Sequence, residues 1–235
     1  TVSGTSISFG SPEAFVNIDT RNISAVHDSA NGKVLIAYSD NADSGRGKIA
    51  LGFVEGNSYY VSSFTTFNSS GSTTDIATTF DSSNNKVVVT YVDVANSSYG
   101  TAVVGTVSGT SISFGTPVVF ESATTDFISA TFDSTSNKVV IAYRDDGNSY
   151  YGTVITGTVS GTSISFDTPV VFESANSWFT SATYDSSADK VVIVYSDRGN
   201  SDYGTAVVFG QTGFSIPQVG SETVFESASI DNISA

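Results

Sequence analysis

The chain predicts an all-β fold, a β-propeller of four-stranded antiparallel blades, on three observations. Runs of four to eight apolar and β-branched residues are cut by Gly, Ser, Asn or Asp, as strands joined by tight turns are. The runs recur at a fixed step: Val-Ser-Gly-Thr-Ser-Ile-Ser-Phe begins at Val2, Val107 and Val159, with a divergent copy at Val54, so the steps are 52, 53 and 52 residues. No window carries apolar residues at sustained three- and four-residue spacing, so no helix is expected. A second anchor, Ile-Ser-Ala or a relative, begins at Ile23, Ile76, Ile128, Thr180 and Ile233. A period of this size means an array of like supersecondary units.

Each unit reads as strands a to d. Strand a, Ile128 to Asp133, ends in a turn whose Asp recurs as Asp28, Asp81 and Asp185; Asp there bonds its own backbone, so the repetition is structural. Strand b is Lys-Val-Val-Ile-Ala-Tyr-Arg-Asp from Lys138, echoed from Lys33, Lys86 and Lys190. Its unbroken apolar run leaves no polar face and requires cover on both sides. Strand c, from Tyr99, turns through Ser-Gly-Thr into strand d. Pro12, Pro117 and Pro169 fall within d, and a missing N–H is tolerated only at an edge, so d is outermost. A parallel β-helix is the runner-up, although its rungs would be shorter and lack such hairpins.

One domain over 1–235 is expected, with units near 23–75, 76–127, 128–179 and 180–232 and a partial unit at each end. Ala235 aligns with Ala25 and Thr1 with Phe53, so the equivalent of residues 26–52 is missing between the ends. Those 27 residues added to 235 make 262, five periods of 52.4. The expected count is therefore four and a half to five blades, with flanking repeats or self-association covering the strand edges left over.

Composition narrows the function. Nine Lys and Arg against 23 Asp and Glu give a net charge of −14, which repels phosphate backbones and anionic lipid and argues against nucleic acid. With no Cys, neither a disulfide framework nor a thiolate metal site can form. No apolar run approaches the roughly 18 residues of a spanning helix. The Ser-, Thr-, Gly- and Asn-rich surface suits an extracellular or virion setting, and the absence of Met even at position 1 suggests a processed or excised piece.

The repeats resemble the β-propeller arrays of marine phage virion proteins and of secreted, lectin-like bacterial proteins, a resemblance of period and strand pattern over the whole chain. The Ser-x-Asp-x-Gly-x-Thr-Trp box of sialidases, the Gly-His and Trp-Asp signatures of WD40 blades and the Gly-Gly pairs of kelch blades are absent, so no residue inherits a role from those families.

Chemistry is sought where the repeats disagree. The a–b and c–d turns hardly vary, whereas the b–c loops, from Ser39, Val92, Arg144 and Ser196, and the residues before strand a do. One face reads as scaffold and the other as a recognition face. On it, Trp178 and Phe179, with Tyr150 and Tyr151 in a neighbouring type of loop, offer aromatic surface; Asp126, Phe127, Arg144, Asp145, Asp197, Arg198 and Asp202 complete the candidate ligand-binding set. The alternative is that the rings fill gaps between blades. The strand-b carboxylates Asp40, Asp93, Asp145 and Asp197 could act in a glycoside hydrolase or lyase, though near-identical units place them in like environments and turn capping accounts for them. Asp40 with Asp43, Asp145 with Asp146, and Asp197 with Asp202 could supply Ca²⁺ ligands, without a recognised loop spacing. His27, the single histidine, stands where other units have Phe80, Phe132 and Tyr184 and is expected half-buried. The expectation is a non-enzymatic module that meets a glycan or a protein surface, with no catalytic residue and no required cofactor.

Overall fold

The computed structural model describes residues 2–3, 6–7, 10–210 and 218–229, and these hold nineteen β-strands and no α-helix. A minimal hairpin of β1 (Val2–Ser3) and β2 (Ser6–Ile7) comes first. The first unit is β3 (Thr20–Asp28), β4 (Lys33–Asp40), β5 (Arg46–Glu55) and β6 (Ser58–Asn68), paired in that order. The second opens with β7 (Thr73–Asp81), β8 (Lys86–Asp93), β9 (Tyr99–Ser108) and β10 (Ser111–Phe114). The chain continues through β11 (Val118–Asp133), β12 (Lys138–Asp145), β13 (Tyr151–Ser160), β14 (Ser163–Phe166), β15 (Val170–Asp185), β16 (Lys190–Asp197), β17 (Tyr203–Gly210), β18 (Gln218–Val219) and β19 (Thr223–Ser229). Every pairing is antiparallel, which excludes the β-helix.

Local chemistry sets the turns. Asp28, Asp81, Asp133 and Asp185 each accept the backbone N–H groups two and three residues on, at 2.8–3.2 Å. The a–b turn then needs one left-handed residue, met by Gly32, Asn85, Asn137 and Asp189. Strand d differs from the single mid-Pro strand expected. Pro117 and Pro169 sit in breaks, between β10 and β11 and between β14 and β15, while both segments pair with the same strand c. The d–a connection is likewise no loop. β11 and β15 run from d of one unit straight into a of the next, bending at a bulge between Asp126 and Ser129 and between Trp178 and Ser181.

Packing between units follows from strand b. In the inner units every apolar residue of β8 and β12 is buried, because alternate side chains meet opposite neighbours: Val87 and Val89 pack on Leu35 and Ala37 of the first unit, and Val88 on Val139 and Ile141 of the third. A repeated aromatic contact locks each junction. The strand-d Phe of one unit meets the strand-b Tyr of the next, as Phe67–Tyr91, Phe120–Tyr143 and Phe172–Tyr195, with centroids 5.1–5.3 Å apart. Beneath these rings lie Gly47, Gly100 and Gly152, where an added Cβ would stand 2.4–2.5 Å from Phe67, Phe120 and Phe172. The invariant Gly after the first residue or two of strand c is thus a demand of volume.

The four a strands, in β3, β7, β11 and β15, stand side by side around one channel of about 390 Å³ lined by Ser, Thr, Ala and Ile128. Ser24 Oγ lies 2.8 Å from Thr78 Oγ1 and accepts the Thr78 N–H at 3.0 Å; the Ala182 N–H donates to Ser129 Oγ at 2.9 Å. The Ile-Ser-Ala anchor therefore supplies small polar side chains that stitch neighbouring units. This is a propeller-like arrangement, and no sheet closes on itself among the described residues. Residues 211–217 and the fifth anchor, Ile233 to Ala235, lie outside them. His27 is exposed rather than half-buried, because its position faces the preceding unit, where Phe80 and Phe132 find neighbours and His27 has none among the described residues.

Phe120→Ala should cost about 3–5 kcal/mol, the usual range for a buried aromatic, whereas Phe225→Ala, at the equivalent position with the ring 55 % exposed, should cost under about 1 kcal/mol. Urea unfolding of the two variants measures the difference.

Candidate functional site

The variable face is built by two devices at one end of the channel. Each strand b ends in an Asp that begins a single 3₁₀ turn over residues 41–43, 94–96, 146–148 and 198–200. Asp40 and Asp197 each accept two backbone N–H groups of that turn, at 2.8–3.2 Å, and Asp145 accepts the Asn148 N–H at 3.1 Å. Asp93 instead accepts the Ser70 hydroxyl at 2.8 Å. Turn capping is thus the work of three of the four strand-b carboxylates. Each turn leaves through two left-handed residues, and in the third unit the second of these is Tyr150, which is about half exposed.

The second device is the bulge in each strand a, which puts Asn22, Asp75, Phe127 and Phe179 at φ of 47–54°. Left-handed backbone is uncommon for any non-glycine residue and costly for an aromatic, so tertiary contacts must hold it. They do so unit by unit: the Phe127 N–H donates to Asp75 Oδ1 at 2.9 Å, the Asp75 N–H to Asn22 Oδ1 at 3.4 Å, and the Thr180 hydroxyl to the Phe127 carbonyl. The channel mouth thereby acquires a polar half, Asn22 and Asp75, and an aromatic half. Phe127 lies 5.6 Å from Trp178 and 5.0 Å from Phe179, and those two meet edge to face at 5.6 Å.

Two arginines complete the aromatic half. Arg144 is only 8 % exposed. Its guanidinium lies 4.9 Å from the Phe127 ring, 5.3 Å from Tyr150 and 5.6 Å from Trp178, and it pairs with Asp126 and, at 2.7 Å, with Asp146. Burial holds the Asp126 carboxyl above the usual carboxylate range in spite of Arg144. Arg198, by contrast, is exposed; it lies 3.6 Å from the Trp178 ring centroid and is tied to Asp202 only at 3.5 Å. Trp178 Nε1 donates to Asn176 Oδ1 at 2.9 Å. The structure thus gathers Trp178, Phe179, Phe127, Asp126, Arg144, Arg198 and Asp202 into one cluster, whereas Asp145 and Asp197 cap the turns beside it. Asn176 went unnoticed in the sequence because its row varies freely.

The Asp pairs considered as Ca²⁺ ligands are differently employed. Lys48 Nζ stands 2.6 Å from Asp40 and 2.9 Å from Asp43, so the chain neutralises that pair itself; Asp146 pairs with Arg144 at 2.7 Å, while Asp202 lies 3.5 Å from Arg198. Among the described residues one carboxylate trio comes together, Glu173, Asp197 and Glu222, with oxygens within 4.8 Å of one another. Burial, a hydrogen bond shared with Glu222 and the charge of Asp197 push Glu173 up to about 7, against a Tyr195 hydroxyl donated at 3.1 Å.

No family model matches the chain, and no curated protein does. One solved structure with which it aligns is that of SapL1 lectin in complex with alpha methyl fucoside, at 14 % identity and a TM-score of 0.48 over 89 % of this chain. The alignment spans 65 % of the length of that lectin.

Replacing Arg144 by Met leaves Asp126 and Asp146 without their counter-charge, and should cost about 3 kcal/mol in urea unfolding; adding Asp126→Asn to that variant should restore part of it. The Glu173 carboxyl, raised from 4.5 to about 7 in the fold, binds its proton more tightly folded than unfolded. Its stabilising effect is complete below about pH 4.5 and lost as pH rises through about 7. The melting temperature should therefore fall between pH 5 and 7.5, and Glu173→Gln should flatten much of that fall.

Proposed function

We propose that the chain is a non-enzymatic recognition module that binds a glycan at the aromatic half of the channel mouth. The observation that carries this reading is the Phe127, Trp178 and Phe179 cluster, half-buried and rimmed by Asn176, Asp126, Arg198 and Asp202. Flat rings suit the apolar faces of sugar rings, and the amide, carboxylate and guanidinium groups around them suit hydroxyls in both donor and acceptor senses. Arg144 acts beneath the surface, holding three rings in place, while Arg198, loosely tied over the indole, is the cation free to turn toward a ligand. Hydrolysis by the strand-b carboxylates has less support, since Asp40, Asp145 and Asp197 are occupied as caps. An extracellular or virion setting rests on composition alone.

A glycan array with the intact chain identifies the sugar. Trp178→Ala should then weaken binding about 30-fold or more, the roughly 2 kcal/mol of an interface anchor, and lower the melting temperature less than Phe120→Ala does. Asp145→Asn and Asp197→Asn should leave binding unchanged and release no sugar from a glycoside panel. A large loss of stability in Trp178→Ala with full affinity in the folded fraction would overturn the reading. No glycan bound by the intact chain would leave a protein surface as the ligand.

A further inference from the structure

The two end units differ from the inner ones in a way the repeats explain. Along β4 the apolar residues alternate, with Leu35 and Ala37 buried but Val34 and Ile36 only partly covered; along β16, Val191 and Ile193 are buried but Val192 and Val194 are not. In the inner units the same positions are buried on both sides. By equivalence with Val87 and Val89, Val34 and Ile36 face a preceding unit; by equivalence with Val88, Val192 and its neighbour face a following one. Phe225 and Val208 are exposed on that second face, and Ile23 and His27 lie exposed in the first unit, His27 facing the preceding position.

Residues ahead of the first unit repeat contacts of the inner junctions. Phe15 meets Tyr38 edge to face at 5.5 Å, as Phe120 meets Tyr143, and Gly10 approaches the Asn57 carbonyl as Gly115 approaches that of Thr162. Residues 10–19 thus occupy the strand-d position before the first unit, although among the described residues they pair with no strand c. The β1–β2 hairpin repeats the c–d turn in register, Val2 with Ile7 as Val107 with Ile112. At the other end, β19 reaches Tyr203 through Ser229, the register from which β15 runs on into the next strand a.

We propose that the partly covered faces of β4 and β16 are the two walls of a socket for one β-hairpin of strand-b and strand-c type, drawn from a further unit of the same repeat. Its apolar side chains would meet Val34 and Ile36 on one side and Val192 and Val194 on the other, and its strand-b Tyr would cover Phe225, as Tyr195 covers Phe172. The chemistry it needs is read from the inner junctions: a Lys-led run of four or five apolar residues ending in Tyr-x-Asp, then a Tyr-Gly-Thr strand. A second whole copy of the chain fits poorly, since its own strands b and c are committed within its units.

The test adds to the intact chain a synthetic peptide with the sequence of residues 138–157. A one-to-one complex in native mass spectrometry and a melting temperature higher by more than about 5 °C are expected. Val34→Asp and Val192→Asp, at partly exposed positions, should each weaken capture at least tenfold while leaving the uncomplexed chain folded by circular dichroism. A chain extended after Ala235 by a copy of residues 131–157 should show the same stabilisation without peptide and should no longer bind it. Failure of both peptide and extension to stabilise the chain would overturn the proposal. So would equal capture by the Asp variants, or a homodimer that forms through these faces and that the peptide does not dissociate.

Discussion

The contact on which the structure depends is the strand-d Phe laid over a strand-c Gly and against the strand-b Tyr of the following unit. It joins a unit to itself and to its neighbour at once, because the ring packs against strand c where a Cβ would clash with it and meets the next Tyr from there. The tyrosine hydroxyls then need acceptors. Tyr143 and Tyr195 donate to Glu121 and Glu173 of the preceding strand d, while Tyr91, facing Asn68 in that position, is buried without a partner. An unpaired buried hydroxyl costs about 1–3 kcal/mol, so the first junction is built less well than the other two.

Rigid junctions allow the mouth to hold strained backbone. Four left-handed bulges stand in register, and the side chains of Asn22 and Asp75 tie each of the first two to the backbone of the next. Short polar side chains suit such backbone best, and the first two units carry Asn22 and Asp75 there. Phe127 and Phe179 depart from that preference, and both stand in the cluster with Trp178 and Arg144. Local strain and aromatic surface coincide at the one place where the repeats diverge most in chemistry.

The channel and the mouth divide the work of the four a strands. Below the bulge, Ser and Thr hydroxyls are consumed in stitching one unit to the next; above it, the side chains are free to differ. An acidic chain with so few charges thus places Arg144 and Arg198 at the aromatic half of this mouth, one buried as a structural cation and one on the surface.

Much of this was legible in the residues themselves. The period, the four strands, the doubly covered strand b and the capping Asp residues follow from spacing and turn chemistry, which are local and repeat four times. The membership of the aromatic cluster was also legible, since divergence among duplicated units marks Trp178, Phe127 and Arg144 without knowledge of their distances. Tertiary structure decided what depends on neighbours. Whether His27 is covered turns on a unit that precedes it, and whether Pro117 interrupts a strand turns on how d pairs with c. Arg144 and Arg198 read alike in sequence, yet three rings and two carboxylates bury one and leave the other in water. Glu173, Asp197 and Glu222 lie far apart along the chain and share no motif, so only the fold could bring their charges together.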